Sequence, residues 1–125
     1  MAKIIYVGIG GFIGAALRYL ISSNSSKWFG SQLPYGTLIV NVIGGLLIGF
    51  IMQLSVQTSY ISADLKLFLT TGIIGGLTTF STFSYETIQF FGDGQYFYGI
   101  INTCLNLFLS FGGVALGKFL GSKLI

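Results

Sequence analysis

Long apolar runs alternate with short polar ones along the whole chain, and the lengths of the two kinds set the architecture. Crossing a hydrocarbon core of about 30 Å takes about 20 apolar residues per helix. Four runs qualify, at about residues 4–21, 35–54, 65–91 and 96–120. The pattern predicts an all-α integral membrane protein, one domain of four transmembrane helices over residues 1–125. The connectors SSNSSKWFGSQLP, SVQTSYISAD and GDGQ are too short to hold a separate catalytic or nucleic-acid-binding unit. Lys3 precedes the first run as in a signal peptide, but that run is too long and lacks an A-x-A site before its end, so a retained helix is expected.

Composition agrees with this reading: 53% of residues are hydrophobic and only 7% charged, too few to coat a water-soluble domain of this size. The net charge of +3 is ordinary for loops beside anionic lipid, and without a Lys/Arg cluster no nucleic-acid partner is expected. Cys104 is the only cysteine and there is no histidine, which removes an intrachain disulfide, a cysteine metal site and His-based catalysis. Four spans place both termini on one side with Lys3, Lys66, Lys118 and Lys123, against Lys27 and the edge residue Arg18 on the other. That asymmetry is slight and leaves a dual orientation open.

Within the spans, small residues recur every fourth position: Gly10 and Gly14; Gly45 and Gly49; Gly113, Gly117 and Gly121. This spacing lines one helix face with residues that let another backbone come close. Asn102, Asn106 and Ser110 form a polar stripe on the fourth span, as Thr37 and Asn41 do on the second, and such groups must face protein or water rather than lipid. Arg18, the only arginine, lies near the end of the first span, and Glu86 is the one acid well inside a span.

The third span carries the least ordinary stretch, GGLTTFSTFS at residues 75–84. Gly72, Gly75 and Gly76 ahead of a run of threonines and serines discourage continuous helix, and a break is expected in this stretch. At membrane depth an irregular backbone survives only inside protein or against a water-filled cavity, so the break marks the candidate working centre. Freed carbonyls there suit a hard cation such as Na⁺. Phe80 and Phe83, three apart, can turn their positive ring edges towards an anion. Gly75 is expected at a close approach of backbones.

GGFIGAALRY in the first run, GTLIVNVIGGLLIG in the second and TGIIGGLTTFSTFSYE in the third together resemble the Fluc (CrcB) fluoride channels over essentially the full length. The resemblance implies a dual-topology antiparallel homodimer in the bacterial inner membrane, with a third helix broken at mid-membrane. It implies two pores that pass fluoride passively and lower its cytoplasmic level. It also implies a structural Na⁺ at the dimer interface, held by the carbonyls of Gly75 and Thr78. Phe80 and Phe83 match the aromatic box of the pore, Asn41 its amide, Ser81 and Thr82 the polar run of the third helix, and Ser110 and Asn106 the polar track of the fourth. Arg18 matches the vestibule arginine. No enzymatic activity is implied.

Two other readings stay open on the residues alone. A small proton-coupled multidrug exporter would need a buried acid in its first helix, where this chain has Arg18 and only Glu86 as a substitute elsewhere. A purely structural subunit would need nothing beyond the glycine seams.

Overall fold

The computed structural model describes residues 1–124 and is helical nearly throughout. Helix α1 spans Ala2–Phe29 and α2 Tyr35–Gln57. The third run is composite: α3 (Ala63–Leu67), a π-helix π1 (Phe68–Ile74), α4 (Gly75–Leu77) and α5 (Phe80–Gly92). Helix α6 spans Tyr96–Lys123. The four helical columns, with α3 to α5 counted as one over Ala63–Gly92, are each long and apolar enough to cross a membrane.

Helix α1 extends well past the expected boundary at residue 21, and local chemistry explains it. Ser23 Oγ and Asn24 Nδ2 donate to the Leu20 carbonyl at 3.2 and 2.8 Å, and Ser25 Oγ donates to Ser22 O at 2.9 Å. These polar side chains satisfy their donors on their own turn, so the helix carries them past the apolar stretch without calling on other partners. It stops at Gly30, whose φ of 92° few other residues would adopt. The third column starts where Ser62 Oγ accepts from the Leu65 N–H at 3.1 Å, with Asp64 in the first turn.

The expected glycine seams are the crossings of the bundle. Helix α2 packs chiefly on α6, and α1 on π1 and α4. A methyl group on Gly45 would stand 2.9 Å from the Ser110 carbonyl, and one on Gly10 2.6 Å from the Phe68 carbonyl. Gly49 and Gly14 face the carbonyls of Val114 and Ile73 more closely still, while Gly117 meets that of Leu46. Backbones thus touch directly, which is how helices gain contact where lipid is as apolar as leucine.

The core is correspondingly inverted. Its buried apolar side chains are Val40, Ile74, Leu77 and Phe83, whereas Ser25, Thr37, Thr79, Thr87, Asn102 and Asn106 are buried polar ones. Phe12, Phe108, Phe111 and Phe119 face outward. Hydrocarbon as the surrounding solvent favours this distribution.

A matched pair of substitutions tests the α1 crossing. Gly14→Ala drives a Cβ into the Ile73 carbonyl and should destabilise by about 1–3 kcal/mol or more, because two backbones must separate. Gly8→Ala has open space around it and should be neutral or stabilising by about 0.5–1 kcal/mol through helix propensity. Thermal melts of the purified variants in detergent compare the two; equal melting temperatures would mean that α1 docks by some other face.

Candidate functional site

The helix interruption falls at Thr78 and Thr79, past the glycines that the sequence singled out. Both are extended, with φ and ψ of −86° and 158° at Thr78 and −152° and 117° at Thr79. Gly75, Gly76 and Leu77 remain helical. What selects the two threonines is a side chain on α2. Asn41 Oδ1 accepts from the Thr79 N–H at 2.9 Å, and Asn41 Nδ2 donates to the Thr79 carbonyl at 3.2 Å. One carboxamide so pairs with both polar groups of an extended residue, as a neighbouring strand would. Their β-branched side chains suit the extended backbone.

Four carbonyls, those of Gly75, Gly76, Leu77 and Thr78, lose their helical donors by the same rearrangement. In unbroken helix the N–H of residue i+4 bonds the carbonyl of residue i. The Thr79 N–H, which would serve Gly75, is taken by Asn41. The Thr82 N–H, which would serve Thr78, is capped by Thr79 Oγ1 at 3.1 Å as α5 begins. Gly75 and Thr78 are thus the two carbonyls whose helical donors are diverted to side chains. Gly75 is exposed and Thr78 half-buried.

Beside the break lies an open groove of about 390 Å³ bordered by Asn41, Thr78, Phe80, Phe83, Asn106 and Ser110. Sequence reasoning nominated all six, and the fold gathers them from α2, the break, α5 and α6. The Phe80 and Phe83 rings meet edge to face, centroids 5.6 Å apart at 61°. They differ in surroundings: Phe83 is 8% exposed and Phe80 75%. Asn41 Nδ2 also donates to Asn106 Oδ1 at 3.1 Å, so both N–H bonds of the Asn41 amide are engaged inside the protein.

The remaining candidates lie elsewhere. Arg18 and Thr82 border a separate concavity of about 270 Å³ together with Thr37 and Thr79, so Thr79 alone touches both spaces. Ser81 is exposed on α5, 3.4 Å from the Thr79 hydroxyl. Glu86 lines a larger cleft of about 620 Å³ between the α1–α2 connector and α5, its Oε1 buried with no hydrogen-bond partner among the described residues.

Gly75 departs from expectation. A Cβ there would meet only the Thr70 carbonyl, at an ordinary 3.6 Å, so nothing among the described residues crowds it. The close approach belongs to Gly76, whose Cβ would stand 2.6 Å from the Gly11 carbonyl. Sequence reasoning also missed Thr87 and gave Asn102 no firm partner. Asn102 Nδ2 donates to Thr87 Oγ1 at 3.0 Å, and the polar stripe on α6 was the available signal.

Comparison with known proteins bears on these arrangements. The family described as "CrcB-like protein, Camphor Resistance (CrcB)" matches residues 5–118. A fluoride-specific ion channel FluC of Clostridium novyi is 62% identical over 94% of this chain and 91% of its own length. A protein of the same name from Clostridium perfringens is 59% identical over 90% of this chain and 88% of its own. One from Shewanella denitrificans is 44% identical over 94% of each. With the family match spanning most of the sequence and such relatives covering nearly all of it, this four-column membrane chain belongs to the CrcB family.

Proposed function

We propose that the chain forms a fluoride-selective channel that lets F⁻ run down its gradient across the bacterial inner membrane and so lowers cytoplasmic fluoride. The observation that carries this reading is the groove, where two phenylalanines in edge contact share one wall with Asn41, Asn106 and Ser110 beside a broken helix. Relatives bearing the fluoride-channel name support it.

Fluoride is small and strongly hydrated, so a path must replace its water with groups of positive polarity and still release it. Ring edges of Phe80 and Phe83 supply diffuse positive potential, the Ser110 hydroxyl a hydrogen bond, and neither holds the ion as tightly as a fixed cation would. Arg18, with Thr82 beside it, forms the vestibule and raises the local anion concentration without standing in the groove.

The working unit is an antiparallel homodimer of dual topology, with the break of each copy at mid-membrane. Its support is what one chain leaves open: Gly75 exposed and uncrowded, and Phe80 and Ser81 facing outward. The Gly75 and Thr78 carbonyls fit a structural Na⁺, since their helical donors are diverted and hard cations prefer such oxygens. Two oxygens are too few for that ion, and a second copy brings the other two. When bound, Na⁺ offsets the exposed carbonyl dipoles where two broken helices meet.

The test is efflux of fluoride from liposomes loaded with potassium fluoride, started by valinomycin and read with an electrode beside a chloride control. Rapid fluoride release with negligible chloride leak is expected. If folded, inserted protein releases none, the exporter reading becomes the stronger, and Glu86→Gln should then abolish proton-coupled drug export.

A further inference from the structure

Hydrogen bonds continue inward from the groove. Asn106 Nδ2 donates to the Asn102 carbonyl at 2.9 Å and to Asn102 Oδ1 at 3.3 Å, and Asn102 Nδ2 donates to Thr87 Oγ1 at 3.0 Å. The polarity of this relay is dictated by the backbone. The Thr79 N–H can only donate and its carbonyl only accept, so Asn41 must present Oδ1 to the first and Nδ2 to the second. The Asn106 atom facing Asn41 Nδ2 is then an oxygen, which turns the Asn106 nitrogen to Asn102 and leaves the Asn102 nitrogen for Thr87.

Two consequences follow. Both N–H bonds of Asn41 and both of Asn106 point into the protein. In addition, Thr79, Phe83 and Thr87 succeed one another every fourth residue on one face, each 8% exposed. The relay therefore grips α5 one turn before and one turn after the Phe83 ring. Asn102 is 1% exposed and borders neither the groove nor the Arg18 concavity.

We propose that Asn102 is a positioning residue for the channel reading above: its side chain clamps α6 to Thr87, gives the inward-turned Asn106 amide a second acceptor beside the Asn102 backbone carbonyl, and so fixes the register of Phe83 without meeting the ion. The inward turn matters because carboxamide N–H groups aimed into the groove would bind a dehydrated fluoride strongly and slow its release.

Liposomes reconstituted at less than one channel each, on average, separate two kinds of loss. Fewer folded channels lower the fraction of liposomes that empty; misplaced channels lower the rate at which each occupied liposome empties. Asn102→Leu is expected to slow emptying about tenfold or more while the fraction changes little. The exchange variant Asn102→Thr with Thr87→Asn, which can restore a bond between the two positions, is expected to recover most of the rate. Should Asn102→Leu fail to fold, Thr87→Val removes the acceptor while keeping the shape, and about a threefold slowing is expected. Wild-type emptying rates in the folded Asn102→Leu variant, or in Thr87→Val where the former does not fold, would overturn the positioning role. So would an exchange variant no faster than Asn102→Leu. Absence of fluoride efflux from wild type would instead overturn the channel reading.

Discussion

Asn41→Leu is expected to lose fluoride efflux almost entirely and to melt well below wild type. Leucine keeps the approximate size but removes the partner of the Thr79 N–H, the partner of the Thr79 carbonyl and the donor to Asn106 at one stroke. A buried polar group left without a partner costs about 1–3 kcal/mol. Hydrogen bonds in membrane bundles are often worth nearer 0.6 kcal/mol, since the alternatives there also find partners. With three bonds lost, a net destabilisation of about 2–4 kcal/mol follows. The chain then closes the gap in the only way open to it, by rewinding Thr78 and Thr79 towards helix, which withdraws the Gly75 and Thr78 carbonyls and moves Phe80 and Phe83. Asn41→Asp retains the acceptor for the Thr79 N–H and should lose less stability. Thermal unfolding in detergent and the liposome assay together check this, and an Asn41→Leu protein with wild-type melting and efflux would show that the break is held by something other than α2.

Phe83→Ile and Phe80→Ile carry the second large effect, a fall in fluoride flux of one to two decades with the fold retained. An isoleucine offers no positive ring edge, so on the proposed path the ion would lose a favourable contact; a barrier raised by about 1.4–2.8 kcal/mol corresponds to that range of rates. The two positions should differ in stability. Phe83 is buried and its replacement leaves a small void, whereas Phe80 is largely exposed on one chain and its replacement should leave melting nearly unchanged. Size-exclusion elution confirms folding, and efflux then reads the pore role directly. Unchanged flux in both variants would remove the phenylalanines from the path.

Much of this was legible in advance because its causes are local. Four-residue spacing of Gly10 and Gly14, or of Gly113, Gly117 and Gly121, needs no tertiary knowledge to be read as a seam, and the seams are where the helices cross. The stripe of Asn102, Asn106 and Ser110 likewise announced a polar interior. The residues announced a break in this stretch but not its place, because a residue 38 positions earlier decides it: Gly75 and Gly76 permit departure from helix, but Asn41 determines where departure is compensated. Placement of Arg18 and Thr82 in a different space from Phe80 and Phe83 was hidden for a related reason. Neighbours along α5 point to different sides of the helix, and only the packing of α1 and α6 shows which side is which.

The π-helical turn at Phe68–Ile74 has a consequence for how this chain tolerates change in length. Here the Gly75 N–H reaches back five residues to the Thr70 carbonyl, one more than in ordinary helix, so the stretch accommodates a residue that α-helical winding would not. Deleting one residue from it should let the turn relax to α geometry at little local cost, and because the wide turn already absorbs that residue, everything downstream would keep nearly its present direction about the axis. Gly76 would stay against α1, and Thr79 against Asn41. The aim of the groove is therefore set by arithmetic as well as chemistry: a single-codon deletion inside the wide turn is absorbed, while the same deletion in the α-helical turn that follows would swing everything beyond it by about 100°.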